Sequence, residues 1–320
     1  MKRLLITIVA LALGTPLLAH AADWPTKPVR IIAPYAAGGS ADTLGRAFGE
    51  QLSAAFQQQF FVENRGGAGG LVGSAAVAHA DPDGYTLVVS SLGSHVIATA
   101  TNANPGFDPI ADFTHVAYFG GPPIVMMVHP SLGVNSLKEL LELAKKSPSA
   151  LAYVSPGPGT LGNLVAEYWA RKQDIKLDHI PYKGAALAVT DLIGGHVKVG
   201  SMTFTTASTQ IRSGKVIPLA VTSAKRLAEF PNVPTFKELG YPDMVATAWF
   251  SLSGPRALPN DIVQAINRAV DKAKDNPAIQ QRLALEAIET EKMTAAEFTK
   301  FFIGEHAKWA PVAKAVMTMK

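Results

Sequence analysis

Val29-Arg30-Ile31-Ile32-Ala33-Pro34-Tyr35-Ala36-Ala37-Gly38-Gly39-Ser40-Ala41-Asp42 reads as a short buried strand that breaks at Pro34, crosses a Gly-Gly turn and enters a helix at Ser40 or Asp42. The helix is predicted by Leu44, Ala47, Phe48, Leu52, Ala55 and Phe56, apolar side chains spaced to form one stripe. A glycine turn feeding a helix leaves backbone N–H groups unpaired at the positive end of the helix dipole. That is a seat for a carboxylate or phosphate. An ordinary strand–helix connection with a Ser/Asp cap has the same pattern, so the stretch alone predicts the fold before it predicts a ligand.

Working outward, the first residues set an address. Lys2 and Arg3 precede an apolar run from Leu4 to Leu18, and Ala19-His20-Ala21 has the small-x-small form of a cleavage site. Residues 1–21 are expected to be a secretory signal peptide, cut before Ala22. Gly14 and Pro16 break the run, which falls short of the roughly 20 residues a membrane span needs. No later stretch has that length and apolarity, so a soluble, exported protein is expected. Removing Lys2 and Arg3 leaves 27 basic against 25 acidic residues, a formal charge of +2 in place of +4. No Lys/Arg cluster is interleaved with aromatics, which argues against nucleic acid as a partner. Cysteine is absent, so in an oxidising compartment stability rests on the cores alone.

Strand-like and helix-like segments alternate along the chain, predicting an α/β fold with largely parallel sheets. Strands are expected at Val29–Ala33, Tyr85–Ser90, Val116–Phe119, Ile124–Val128, Leu151–Ser155, His196–Ser201 and Val216–Thr222. Ser136-Leu137-Lys138-Glu139 and Thr294-Ala295-Ala296-Glu297 have the capping-box form, and Asn276-Pro277 places a cap before a first-turn proline. The region from Pro259 onward is predicted helical. Lobe crossings are expected near Gly120-Gly121-Pro122-Pro123 and between Gly240 and Gly254. They predict one lobe from residues 22–122 and 250–320, a second from residues 123–249, and a cleft between them that closes on a small ligand.

Catalytic signatures are sparse: there is no H-E-x-x-H, no G-x-S-x-G and no S-x-x-K, and His79, His95, His115, His129, His179, His196 and His306 are scattered singly. No metal or organic cofactor is expected. Gly157-Pro158-Gly159-Thr160-Leu161-Gly162 matches G-x-G-x-x-G formally, with Asp178 near the place of a ribose-binding acid. Its mid-chain position in an exported protein argues against a dinucleotide. The physics carries over nonetheless: N–H groups of Gly159 and Thr160, with the Thr160 hydroxyl, make a second anion seat at a helix start. Two such seats facing across a cleft would grip one carboxylate from both sides and favour the closed state. The run from Glu63-Asn64-Arg65 through Gly66, Gly67, Gly69, Gly70 and Gly73 lacks G-K-[ST] and reads as a packing turn. Ser91, Ser94 and His95 end a buried strand, where open α/β sheets place ligand contacts.

In this order the motifs resemble the solute receptors of tripartite tricarboxylate transporters, the Bug-type periplasmic binding proteins. The resemblance is carried by Pro34–Asp42, Glu63-Asn64-Arg65, Pro82-Asp83-Gly84-Tyr85-Thr86-Leu87, Gly159-Thr160 and Pro181-Tyr182-Lys183-Gly184. Asp191-Leu192-Ile193-Gly194-Gly195, Ala220-Val221-Thr222-Ser223 and Trp249-Phe250 extend it. It implies a two-lobed type II periplasmic-binding (Venus flytrap) fold, a monomer in the periplasm that delivers a small organic carboxylate to a membrane permease or to a sensor kinase. It also implies that Tyr35, Gly38, Gly39, Ser40, Asp42, Gly159 and Thr160 form a shared carboxylate clamp, with Asp42 ordering the loop since like charges repel. Ser91, Ser94, His95, Thr203 and Thr206 are expected as further contacts, and Trp249 or Phe250 as an apolar wall.

This chain departs from the family pattern at Lys198, at Ser201-Met202-Thr203 and at Asn163. The absence of an acidic residue there points away from an amino acid and toward a dicarboxylate, hydroxy acid or aromatic acid. Competing readings are an exported hydrolase whose Ser/His/acid set forms only in three dimensions, and a surface or assembly protein with no small ligand.

Overall fold

The computed structural model describes residues 24–147, 149–285 and 287–317; the expected signal peptide lies outside them. Among the described residues, ten strands form two five-stranded sheets. The first contains β1 (Val29–Ala33), β2 (Phe60–Asn64), β3 (Thr86–Ser91), β4 (Phe113–Gly120) and β10 (Phe250–Pro255), in the order β2-β1-β3-β10-β4. The second contains β5 (Ile124–Val128), β6 (Leu151–Ser155), β7 (Leu177–Pro181), β8 (Val199–Thr203) and β9 (Ile217–Val221), in the order β7-β6-β8-β5-β9.

β1 is a strand because Val29, Ile31 and Ile32 are β-branched and buried on both faces of a sheet interior. It stops at Pro34, which has no N–H for the ladder. The sheets repeat one pattern. β1 runs parallel to β2 and β3, while β10 is antiparallel to β3 and β4; β6 runs parallel to β7 and β8, while β5 is antiparallel to β8 and β9. The expectation of largely parallel sheets is therefore corrected to mixed ones. The antiparallel strand in each sheet is the one that arrives from the other sheet, so it enters without a βαβ crossover to set its direction.

Helices α1 (Ser40–Phe56), α2 (Leu71–Ala78), α3 (Ala98–Thr101), α8 (Asn260–Ala273) and α9 (Pro277–Leu285) accompany the first sheet's segments of the chain. α4 (Leu137–Lys146), α5 (Leu161–Lys172), α6 (Ala185–Ile193) and α7 (Phe204–Arg212) accompany the second. Phe48 of α1 stacks on Phe119 of β4 with ring centroids 4.3 Å apart. α10 (Ala295–Met317) touches both halves. Its Phe302 stacks on His115 of β4 at 3.8 Å, and further along Ala315 accepts a hydrogen bond from Arg171 of α5 at 3.3 Å. The cap at Thr294 is reciprocal: its Oγ1 accepts the Glu297 N–H (3.2 Å) and the Glu297 carboxylate accepts the Thr294 N–H (2.9 Å).

Two of the strands without a sequence prediction, β2 and β7, are edge strands with half-polar sequences, Phe-Phe-Val-Glu-Asn and Leu-Asp-His-Ile-Pro. The third, β10, hides its alternation behind serines. Ser251 and Ser253 are buried and each lies 2.7 Å from Ser90 Oγ, so this interior strand is packed through hydroxyls. The strand predicted at 196–201 runs from Val199 to Thr203 instead.

Candidate functional site

The loop between β1 and α1 is held by its own side chains. Asp42 accepts the Gly38 N–H at 2.9 Å and pairs with Arg46 at 2.9 Å. Arg46 in turn donates to Asn64 Oδ1 (3.2 Å), and Asn64 Nδ2 donates to the Tyr35 carbonyl (3.3 Å). Burial opposes the Asp42 charge, but the Gly38 N–H, Arg46 and Asn64 outweigh it and hold the carboxyl below its ordinary range. Gly38, with φ +81°, spends its N–H on this internal bond. Gly39 caps α1, whose first i→i−4 bond is Thr43 N–H to Gly39 C=O (2.9 Å). The N–H groups of Ser40 and Ala41 precede that bond and have no partner inside the helix.

The loop between β6 and α5 is built by the same logic. Ser155 Oγ accepts the Gly157 N–H (3.2 Å) and lies 2.7 Å from His179 Nε2. Thr160 caps α5: its hydroxyl donates to the Gly157 carbonyl (2.8 Å) and accepts the Asn163 N–H (3.3 Å). Leu164 N–H makes the first helical bond to the Thr160 carbonyl (3.0 Å), leaving Leu161 and Gly162 N–H groups without an intrahelical partner. This corrects the sequence reading for Thr160: its hydroxyl proton and N–H both go to the Gly157 carbonyl, and the amides that follow the cap are those of Leu161 and Gly162. Thr160→Ala should cost about 1 kcal/mol of stability through the lost cap, read by urea unfolding, and should weaken ligand binding by loosening this loop.

The two loops and the crossings line a half-open cavity of about 50 Å³. Tyr35, Gly39, Ser40, Ala41, Ser91, Gly93 and Phe250 line it from the first half; Ile124, Pro156, Thr160, Leu161, Gly162, Ala185 and Thr203 line it from the second. Ala248 and Trp249, on the returning crossing, complete the wall. None of these side chains carries a charge. The halves meet around the cavity: Ser40 Oγ lies 2.7 Å from Thr203 Oγ1, both buried, and Ala36 N–H donates to the Lys183 carbonyl at 3.2 Å. Three helix starts converge here, those of α1, α5 and α6, so the uncharged cavity has a positive potential from aligned peptide dipoles.

Of the residues singled out in the sequence, Tyr35, Gly39, Ser40, Ser91, Thr160 and Thr203 line the cavity, and so do Trp249 and Phe250. Gly38 and Asp42 lie behind the wall as the loop brace. Gly159, with φ +76°, faces Ala98 of the other half instead of the cavity. Thr206 supports Thr203 from 3.1 Å. Ser94 and His95 are also behind the wall: Ser91 Oγ is 3.0 Å from Ser94 Oγ, which is 2.9 Å from His95 Nδ1. His95 is fully buried against Phe113 and Phe107, and its Nε2 has no polar partner. Burial first, and then His115, hold its pKa well below the ordinary value. No carboxylate orients this Ser–His pair, so it lacks the third member of a hydrolytic triad.

The departures from the family pattern also resolve. Lys198 is exposed, Met202 is core, and Asn163 Nδ2 donates to the Tyr153 hydroxyl (2.6 Å) beneath α5, outside the cavity wall. Of those positions only Thr203 lines the cavity. Asp178 pairs with Ala152 at the start of β6, about 10 Å along the strand from the glycine turn, too far for a dinucleotide's ribose. Gly73 and Gly70 pack against Arg65 and Ser94, as a packing turn requires. Ala41, Gly93, Ile124, Pro156, Leu161, Gly162, Ala185 and Ala248 carry no polar side chain to mark them. Leu161 and Gly162 were legible only from the rule that open amides follow a cap.

The profile described as tripartite tricarboxylate transporter family receptor, TctC, matches residues 44–317. The chain belongs to the TctC family. Its fold is that of the solved periplasmic binding protein BugD, with a TM-score of 0.87, 29% identity and coverage of 92% of this chain and 98% of that one. The R. palustris protein Rpa4515, solved with adipate, gives a TM-score of 0.88 at 30% identity, covering 92% and 98% of the two chains. MatC from Rhodopseudomonas palustris with bound malate gives 0.86 at 28% identity, covering 91% and 100%. This TctC protein is accordingly a two-lobed α/β member of a family of periplasmic solute-binding receptors.

Proposed function

We propose that this TctC protein is a non-enzymatic periplasmic receptor that captures a small organic carboxylate and delivers it to the permease of a tripartite tricarboxylate transporter. The observation that carries the reading is the pair of open amide sets, Ser40–Ala41 and Leu161–Gly162, at helix starts on both sides of one uncharged cavity. Adipate and malate in the two R. palustris proteins support the same ligand class. On this reading residues 22–122 and 250–320 form one lobe and residues 123–249 the other. The receptor is a monomer released by cleavage before Ala22, and a guest bridging the lobes stabilises the closed form. Delivery to a sensor kinase in place of a permease uses the same closed surface.

The test is a thermal-shift screen of residues 22–320 against organic acids, with hydrolysis of a generic ester as the parallel assay. An acid at 100 times its Kd adds about 2.7 kcal/mol of stability, a readable shift. Gly39→Val keeps an ordinary backbone conformation (φ −86°) while filling the cavity, so it should abolish the shift without unfolding the protein. Ester turnover, or no acid producing a shift, would defeat the proposal.

A further inference from the structure

Resting on that reading, we propose that the guest is a compact monocarboxylate of about three to five carbons with an uncharged, apolar tail. Size comes first. A water needs about 10–15 Å³ on this scale and has a liquid share near 30 Å³. The cavity of about 50 Å³ thus replaces roughly three to five waters, or about 90–150 Å³ of matter. That is room for an acid the size of isobutyrate or isovalerate.

Polarity follows from where the donors are. The α6 start abuts the Tyr35–Gly39 loop: a Cβ on Gly38 would stand 3.4 Å from Ala186 Cβ, and one on Gly184 3.0 Å from Ala36 Cβ. The Ser40–Thr203 contact lies in the same seam. The helix starts therefore lie along one seam, where a single acid group can meet their amides.

The wall supplied by the crossings is different. Ile124, Ala248, Trp249 and Phe250 are apolar there, and three donors of this wall are already engaged. Ile124 N–H goes to Thr222 Oγ1 (2.8 Å), Ala248 N–H to the Pro122 carbonyl (2.9 Å), and the Trp249 indole N–H to Glu305 (3.0 Å). A second carboxylate against this wall would lose its water, find no free side-chain donor and face Glu305 behind the indole. An ammonium would fare no better, because no Asp or Glu lines the cavity. An apolar tail would instead bury its surface on Trp249 and Phe250. The chain is thereby set apart from relatives that hold adipate or malate.

The experiment is calorimetric titration of residues 22–320 with two isosteric pairs, isovalerate against malonate and isobutyrate against oxalate, in which an isopropyl group replaces a carboxylate. Isovaleramide, which keeps the tail and removes the charge, is the control. The monoacids should bind at least about tenfold more tightly than their diacid partners, and isovaleramide at least about a hundredfold more weakly than isovalerate. Malonate or oxalate binding as tightly as its partner would overturn the monoacid proposal and leave the carboxylate reading standing. Isovaleramide matching isovalerate would overturn both. Failure of every compound to bind would overturn the proposed size and class.

Discussion

Gly69→Ala is expected to weaken binding of the guest by about ten- to a hundredfold, whereas Gly133→Ala leaves it unchanged. Both glycines hold left-handed backbone, φ +68° and +74°, so an alanine costs either site about 1–2 kcal/mol of strain. Around Gly133 nothing lies within 4 Å of the added Cβ. At Gly69 the same atom would stand 2.4 Å from the Pro158 carbonyl oxygen and 3.3 Å from Ala98 Cβ. Gly69 follows β2 of the first sheet and Pro158 follows β6 of the second, so the Pro158 clash exists only while the halves are together. The substitution thus biases the protein toward the open form, and a closed form weakened by about 1.4–2.8 kcal/mol loses one to two decades of affinity. Gly159→Ala, whose Cβ would meet Ala98 at 2.9 Å from the opposite side, should behave alike. Titration of the three variants, with urea unfolding of each unliganded protein, separates strain from closure. Affinity in Gly69→Ala equal to that of the unaltered protein would mean that the guest is held without this seam.

The α/β class and the first ligand loop were legible because β1 and α1 obey simple periods: Ile31 and Ile32 are sheet interior, and Leu44, Phe48 and Leu52 form the buried stripe of α1. The clamp was legible only in outline. A glycine turn and a hydroxyl cap mark a helix start, but which amides remain open depends on where the capping side chain spends its bonds. Asp42 consumes the Gly38 N–H, and Thr160 consumes its own proton on Gly157. Ser94 and His95 looked like site residues because they follow a strand end. The π-helical turn Gly93–Ile97 instead carries them into the core, and no local period announces such a turn. The apolar wall was half visible: Trp249 and Phe250 stand out by size, while Ile124 and Ala248 are ordinary core residues until the two crossings bring them together.

Acid is expected to destabilise this protein between pH 6.5 and 4 through two buried histidines. His115 is enclosed by Phe302 and Phe298, with Nδ1 3.1 Å from Ser253 Oγ and no partner at Nε2. Burial lowers its pKa to about 4, and His95 shifts in the same direction. The unfolded chain binds a proton at the ordinary value of 6.5 while the folded chain refuses it. Stability is therefore complete above 6.5 and falls as pH drops toward the folded pKa. Over that span His115 alone contributes a loss of about 3 kcal/mol, at 1.36 kcal/mol per unit. Asp42, Asp243, Glu238 and Glu297 have lowered pKa values, so their contributions start to fall only below about pH 5 and the upper part of the window belongs to the histidines. Urea unfolding at half-unit intervals measures the slope. His115→Phe keeps the stacked packing on Phe302, and Ser253 retains its bond to Ser90, so the variant should flatten the profile by about the His115 share. A slope unaltered in His115→Phe would show that this histidine is already free to take up its proton in the native state, and the burial argument for it would fail.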